Sequence, residues 1–139
     1  MSSFLLDTNV VSELRKPARR ADKAVRSWIA ARAPADLYLS AITLLEIELG
    51  IARLSRRDGT QSDRLRSWLE NDLLDVFNGR ILPVDVPVAR HAGRLHVPDP
   101  RPERDALIAA TATAHHMTVV TRNAADFEPM QVSVTNPWL

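Results

Sequence analysis

Short apolar runs alternate along this chain with longer segments that have the features of helices. The runs predict strands over residues 4–6, 37–39, 80–84, 117–121 and 132–134. Helical spacing of apolar residues and an alanine-rich stretch predict helices over about 10–14, 21–33, 41–57, 61–77, 85–94, 104–116 and 124–128, with Ser40 and Asp85 as the expected caps of the third and fifth. Strands that alternate with helices predict an α/β fold with a mainly parallel sheet. The strand 80–84 is expected at a sheet edge, because Pro83 has no amide hydrogen for a neighbouring strand.

The chain of 139 residues is predicted to form a single domain, 1–139, long enough for an ordinary core. Hydrophobic residues make up 45% of the chain and charged residues 25%, which argues against intrinsic disorder. The sequence has no cysteine, so a disulfide framework and a thiolate metal site are both excluded. No segment approaches the roughly 20 apolar residues that a membrane span needs. We therefore expect a soluble protein of the cytoplasm.

Arginine supplies 16 of the 18 basic side chains, although the net charge is only +1. Its planar guanidinium group can form paired hydrogen bonds with a phosphate, which a lysine cannot reproduce. Basic clusters occur within 15–20 and 53–57. They are compatible with a surface that contacts nucleic acid, and equally with the solvated faces of helices.

Four acidic or amide side chains lie where strands should end or helices begin. They are Asp7, Glu46, Asp105 and Asn123. In a parallel sheet the carboxyl ends of the strands share one edge, so the fold is expected to bring these groups together. Carboxylates at one place repel one another unless a cation neutralises them. Hard oxygen donors without histidine or cysteine favour Mg²⁺ or Mn²⁺, which predicts metal-dependent phosphodiester hydrolysis.

Structural explanations compete with this hypothesis. Asp7 is suited to cap the helix that begins at Thr8, and Asp105 would interact favourably with the dipole of its own helix. Glu48 lies roughly 200° around the helix from Glu46. Only one of these two glutamates can face the site, and helical periodicity does not separate them because apolar residues flank each.

The segment after the strand 117–121 leaves a similar choice open. Asn123 and Asp126 have the spacing of a helix cap and the third residue of that helix, so a purely structural role is as well supported as a role in the site. Thr8 and Thr121 are expected to hydrogen-bond the carboxylates and thereby fix their orientation.

Five sequence elements in this order make the chain similar to a known family. They are LLDTNVVSEL at 5–14, SAITLLEIELG at 40–50, RILPVD at 80–85, RDALIAATA at 104–112 and TVVTRNAADF at 118–127. The chain resembles the PIN-domain ribonucleases, and most closely the VapC/FitB-like toxins of prokaryotic toxin–antitoxin pairs. The resemblance covers nearly the whole chain. It implies a three-layer α/β/α sandwich with a mainly parallel central sheet of four or five strands.

The resemblance also implies an activity and a set of residues. It implies a Mg²⁺- or Mn²⁺-dependent endoribonuclease whose catalytic residues fall on Asp7, Glu46, Asp105 and Asn123, with Asp7 and Asp105 as metal ligands. The last position is often Asp in relatives, which leaves open whether Asn123 or Asp126 completes the site. Gly50 lies one turn after Glu46 and would leave room for substrate, and Arg53 beyond it would help to position that substrate.

The partners that the resemblance implies are an RNA substrate, a small VapB-like antitoxin and a second copy of the chain. The helices at 21–33 and 61–77 are rich in tryptophan and leucine and are candidates for the homodimer surface. Two other functions remain open. A metal-dependent phosphatase is the weaker one, since its DxDx[TV] motif is absent where residues 7–11 are DTNVV. The other is a non-catalytic PIN-like module that binds RNA or protein.

Overall fold

A computed structural model describes residues 2–139 of the chain, so Met1 of the predicted domain lies outside the described residues. One sheet of five strands forms its centre, in the order β3-β2-β1-β4-β5, and all neighbouring strands are parallel. The strands are β1 (Phe4–Leu6), β2 (Leu37–Ser40), β3 (Ile81–Leu82), β4 (Thr118–Val120) and β5 (Val134–Thr135). The predicted parallel sheet is therefore confirmed. The strand next to Pro83 lies at the edge, as expected, although it is only two residues long.

Helices follow or precede each strand. They are α1 (Thr8–Arg15), α2 (Lys23–Ala30), α3 (Ala41–Ser55), α4 (Gly59–Trp68), α5 (Leu74–Val76), α6 (Val86–Leu95), α7 (Glu103–Ala114) and α8 (Ala124–Phe127). A π-helical turn, Leu69–Leu73, makes α4 and α5 continuous. Gly79, whose φ is 80°, lies in the turn that follows α5. The helix predicted at 21–33 is longer than the observed α2. Asp22 accepts hydrogen bonds from the amides of Ala24 and Val25, which starts α2 at Lys23.

Capping residues fix where three of the helices begin relative to the sheet. Asp7 accepts from the amide of Thr8, and Ser40 accepts from the amide of Ile42, so α1 and α3 begin directly after β1 and β2. Asp85 caps α6 through the amide of Val88, as the sequence predicted. Each of these helices starts at the carboxyl edge of the sheet or close to it, because the strand before it ends there.

The core is divided between the two faces of the sheet, because successive residues of a strand point to opposite sides. On one face Leu6 and Val120 pack with residues of α1, α2, α3 and the π-helical turn. On the other face Leu5 and Val119 pack with α7 and α8. Helix α6 lies outside α7, with Val88 against Ala110. The three-layer α/β/α sandwich is therefore confirmed.

The two helices predicted to offer a dimer surface direct their apolar stripes inward. Val25 of α2 is buried, and Leu69 and Leu73 beyond α4 are buried as well. Trp28 and Trp68 are half-buried against the same cluster. Along residues 2–139 no helix combines the length and the apolar character that crossing a membrane requires.

Candidate metal-binding and catalytic site

The pairing of β1 with β4 places Asp7 beside Thr121. Leu6 is opposite Val120, and the amide of Asp7 donates to the Val120 carbonyl at 2.9 Å. The segments that follow β1 and β4 therefore leave the sheet side by side. The Thr121 hydroxyl donates to Oδ2 of Asp7 at 2.8 Å, while the Thr8 amide donates to Oδ1 at 2.8 Å. Asp7 is only 6% exposed. This carboxylate is thus buried and held at two oxygens, and the predicted hydrogen bond from Thr121 is present.

Glu46 approaches Asp7 from α3. Its Oε1 accepts a hydrogen bond of 2.8 Å from the hydroxyl of Thr8, the residue directly after Asp7. Glu48 faces away, since its Oε1 accepts from Arg66 of α4 at 3.4 Å. The tertiary structure therefore resolves the choice between the two glutamates in favour of Glu46, and it confirms the predicted contact of Thr8 with a carboxylate.

Asp105 joins them from the first turn of α7. Partial burial raises its pKa to about 6, and the negative charges of Asp7, Asp126 and Glu46 add to the increase. Burial likewise raises the pKa of Asp7, against the hydrogen bonds from Thr121 and Thr8, and the charges of Glu46 and Asp126 raise it further. Segments nearly a hundred positions apart thus bring their charges to one place, as the sequence predicted.

The fourth acidic charge of this cluster comes from Asp126 in α8. Its carboxylate acts on both Asp7 and Asp105. Asn123 is exposed and occupies the cap position of α8, but its side chain accepts no hydrogen bond from that helix. The backbone amide of Asn123 donates to the Thr121 hydroxyl at 3.0 Å. Asp126 therefore contributes charge to the cluster, while the role of Asn123 in the site stays a prediction.

Two further residues at the site were missed by the sequence analysis. Asn9 lies in α1, and its Nδ2 donates to the Thr121 hydroxyl at 3.2 Å while its Oδ1 accepts from the Arg122 amide at 3.2 Å. It therefore ties the loop after β4 to α1. Arg104 directly precedes Asp105, and its Nη1 lies 3.8 Å from Oε2 of Glu46. The sequence did contain signals for both residues. Asn9 is the polar third residue of the segment DTN at 7–9, and Arg104 is a cation directly before Asp105.

Arg53, predicted to help position substrate, lies two turns after Glu46 on α3. It is exposed, and no carboxylate within residues 2–139 forms an ion pair with it. The structure thus leaves this cation free at the surface, and its contact with substrate stays a prediction.

The donor set suits a hydrated divalent ion better than a closed protein cage. Across residues 2–139 no three acidic or histidine side chains are arranged to hold a metal ion directly. Mg²⁺ needs no such cage, because it keeps several waters and is held by one or two carboxylates. Asp105 accepts no hydrogen bond from the described residues, so both of its oxygens are available. The four mutually repelling carboxylates supply the electrostatic reason for a cation there.

Comparison with known proteins identifies the family. Residues 4–130 match the PIN domain family. The chain belongs to the PIN domain family. Over 97% of its length it is 41% identical to the toxin FitB of Neisseria gonorrhoeae, covering 98% of that protein. It is also 37% identical to the VapC ribonuclease Y4jK of Sinorhizobium fredii, with 97% of each chain covered.

Solved structures of other proteins share this fold. The structure of FitAcB from Neisseria gonorrhoeae gives a TM-score of 0.87 at 39% identity, with 97% of this chain and 98% of that chain covered. A toxin–antitoxin complex from Klebsiella pneumoniae gives a TM-score of 0.68 at 28% identity, with 97% of this chain and 98% of the other covered. The resemblance deduced from the five sequence elements is therefore confirmed.

The raised pKa of Asp105 makes the stability of this PIN domain depend on pH. The folded protein keeps the proton up to about pH 6, whereas the ordinary value is 3.8. The resulting stabilisation is complete below about pH 4 and is lost as the pH rises through 6. In chelator, the free energy of unfolding of wild type is thus expected to fall relative to that of Asp105→Asn between these limits. Urea unfolding of both proteins across this pH range measures the difference.

Asp85→Asn serves as the control, because Asp85 is exposed, caps α6 and is not among the charges that raise the pKa of Asp7 or Asp105. Its pH profile is expected to follow that of wild type. Identical profiles for wild type and Asp105→Asn would contradict the electrostatic description of the site.

Proposed function

We propose that this protein is a metal-dependent endoribonuclease that acts as the toxin of a toxin–antitoxin pair. The observation that supports it most is the gathering of four carboxylates at the end of β1 and β4, where burial raises the pKa of both Asp7 and Asp105 and the charges of the neighbouring carboxylates raise it further. A folded chain retains such repulsion at a cost in stability, which a bound cation would remove. The relatives named a toxin and a ribonuclease support the same assignment.

Asp7 and Asp105 would hold Mg²⁺ or Mn²⁺, with help from Glu46. When bound, such an ion supplies a water of lowered pKa and stabilises the charge that develops on the phosphate oxygens. The protein's own residues fix the geometry around it. Thr121 and the Thr8 amide hold the two oxygens of Asp7, and the Thr8 hydroxyl holds Glu46. Such hydrogen bonds orient ligands before the substrate arrives.

The remaining side chains would act on the substrate. Arg104 is half-exposed beside Glu46, so its guanidinium group can reach a phosphate oxygen without leaving the site. Asn123, exposed next to Asp126, would orient substrate or water. No nucleophilic side chain is required, so hydrolysis proceeds without a covalent intermediate with the protein.

An antitoxin and a second copy of the chain complete the proposal. A VapB-like antitoxin is supported by the similarity to a toxin–antitoxin complex. A homodimer and a cytoplasmic location are in keeping with a toxin that meets RNA inside the cell. A non-catalytic module is disfavoured, because the whole acidic cluster is present.

Cleavage of total cellular RNA by the purified protein tests the activity. Wild type is expected to cut a narrow set of RNAs in Mg²⁺ or Mn²⁺ and to be silent in chelator. Asp7→Asn and Asp105→Asn should each reduce the rate at least about a hundredfold, since even residues that only orient a ligand contribute about 10–100-fold. The matched control is Asp85→Asn, which keeps a capping side chain and should cut like wild type.

Cleavage that survives in chelator, or in both site variants, would contradict the proposal. A chromogenic phosphoester tested in parallel separates the alternatives. Turnover of that compound without RNA cleavage would indicate a phosphatase, and neither activity in the presence of either ion would indicate a binding module.

Co-expression with the small open reading frame next to its gene tests the antitoxin. We expect the two proteins to copurify and the complex to cut RNA much more slowly than the toxin alone, because an inhibitor must cover or occupy the acidic cluster. Asp105→Asn, inactive by design, allows expression without toxicity and should copurify as well. Failure of both forms to retain the neighbouring protein would contradict the pairing.

A further inference from the structure

Residues 136–139 form a tight turn directly after β5, which we name the Asn136 turn. Oδ1 of Asn136 accepts a hydrogen bond of 2.9 Å from the amide of Trp138, and the carbonyl of Asn136 accepts from the amide of Leu139 at 3.3 Å. Asparagine in the first position of a turn and proline in the second, here Pro137, are the residues that this geometry favours. The conformation of this segment is therefore specified by its own sequence.

Arg122 connects the Asn136 turn to the loop that follows β4. Its carbonyl accepts from Nδ2 of Asn136 at 3.3 Å, and its guanidinium carbon lies 5.2 Å from the ring centroid of Trp138. Its amide donates to Oδ1 of Asn9 at 3.2 Å. Loop residues are usually more mobile than the strands and helices they connect. This exposed residue is instead held at its amide, its carbonyl and its side chain, which calls for an explanation.

Trp138 gives the turn a fixed base on the core. Its ring is half-buried and packs against the apolar cluster that includes Val10 of α1 and Val120 of β4. The turn and the loop after β4 therefore rest on the same part of the core. Movement of the tryptophan would release both the turn and the guanidinium group of Arg122 that lies over its ring.

Only one residue separates Arg122 from a hydrogen bond to the buried carboxylate of Asp7. The hydroxyl of Thr121 donates to Oδ2 of Asp7 at 2.8 Å and accepts from the amide of Asn123 at 3.0 Å. The amide of Thr121 donates to the carbonyl of Thr135, the residue before the Asn136 turn, at 3.0 Å. The direction of the hydroxyl therefore depends on the backbone of this loop, which the turn holds.

We infer that the Asn136 turn is a positioning element of the metal site: it holds the backbone of Arg122 and thereby keeps the Thr121 hydroxyl directed at Asp7. The inference rests on the proposed metal-dependent function and deepens it, because it assigns a role to residues that need not touch the ion or the substrate. Hydrogen bonds that orient a ligand commonly change metal affinity by about 10–100-fold. Loss of the turn is therefore expected to weaken metal binding at a distance.

The competing explanation is that the turn only completes the core, and Trp28 of α2 separates the two. Trp28 is also half-buried against the same apolar cluster, and it also carries an arginine on its ring, since the guanidinium carbon of Arg32 lies 4.2 Å from the ring centroid. Loss of either tryptophan is expected to lower the free energy of unfolding. Only loss of Trp138 is expected to change the metal site.

Titration with Mn²⁺, followed by the electron paramagnetic resonance signal of the free ion and without RNA, tests the inference. Trp138→Ala should raise the Kd for Mn²⁺ by about 10–100-fold, the range found for residues that orient ligands. Trp138→Phe keeps an aromatic ring and should restore a Kd close to that of wild type. Trp28→Ala should bind Mn²⁺ like wild type even though it is less stable to urea. Equal Kd values for Trp138→Ala and Trp28→Ala would overturn the inference.

Asn136→Asp tests the hydrogen bond while keeping the tryptophan in place, and it decides the matter if Trp138→Ala does not fold. Aspartate keeps the oxygen that accepts from the Trp138 amide but cannot donate to the Arg122 carbonyl. The added negative charge by itself would strengthen the binding of a cation. Weaker binding of Mn²⁺ therefore reports the lost position, and an unchanged or lower Kd would contradict the inference.

Amide hydrogen exchange in the metal-free protein measures the restraint on the loop itself. The amides of Arg122 and Asn123 donate to side-chain oxygens, whereas the amide of Asp7 donates to a carbonyl of β4 and serves as the reference. In Trp138→Ala the first two amides should exchange several-fold faster relative to the reference, because the loop opens locally. In Trp28→Ala this ratio should stay that of wild type. An unchanged ratio in Trp138→Ala would also overturn the inference.

The outcome is separable from that of the nuclease proposal. If wild type binds no Mn²⁺ and cuts no RNA, the nuclease proposal is wrong, and the exchange ratio still decides whether the turn holds the loop. If wild type binds Mn²⁺ and cuts RNA while Trp138→Ala and Asn136→Asp do both equally well, only the positioning role is wrong.

Discussion

Asp7 and Thr121 meet because β1 and β4 are parallel neighbours that end together, and the rest of the site depends on that meeting. The Thr121 hydroxyl holds one oxygen of a carboxylate that is 6% exposed, and Asn9 holds the loop that carries Thr121. Glu46, Asp105 and Asp126 then arrive from three other segments at the same edge. Burial raises the pKa of Asp7 and Asp105, and the neighbouring carboxylates raise it further, so the fold keeps unfavourable electrostatics that a cation would relieve.

Much of this architecture could be predicted from the sequence, because apolar periodicity and strand ends are local properties. The parallel sheet, the edge position of the strand next to Pro83 and the caps formed by Asp7, Ser40 and Asp85 were all predicted. The sequence also predicted that Asp7 and Asp105 lie close together, because the carboxyl ends of parallel strands share one edge of the sheet.

Other features depend on contacts that no local pattern contains. Glu46 and Glu48 are both flanked by apolar residues, and only the position of α4, with Arg66 beside Glu48, distinguishes them. The electrostatic effect of Asp126 on Asp7 and Asp105 depends on where the short α8 lies in the folded chain. The contact of Arg104 with Glu46 also depends on tertiary packing. The π-helical turn at Leu69–Leu73 has hydrogen bonds that span five residues instead of the four of an α-helix, which sequence periodicity over so short a segment does not detect.

The central claim is that these carboxylates share one divalent ion, and paramagnetic broadening by Mn²⁺ locates such an ion directly. In amide NMR spectra titrated with substoichiometric Mn²⁺, signals of residues 7–9, 46, 104–106 and 121–126 are expected to broaden first. Excess Mg²⁺ should restore them, and Asp105→Asn should require far more Mn²⁺ for the same effect. Broadening that begins elsewhere, for example at His115 and His116, or that is spread evenly over the chain, would contradict the account.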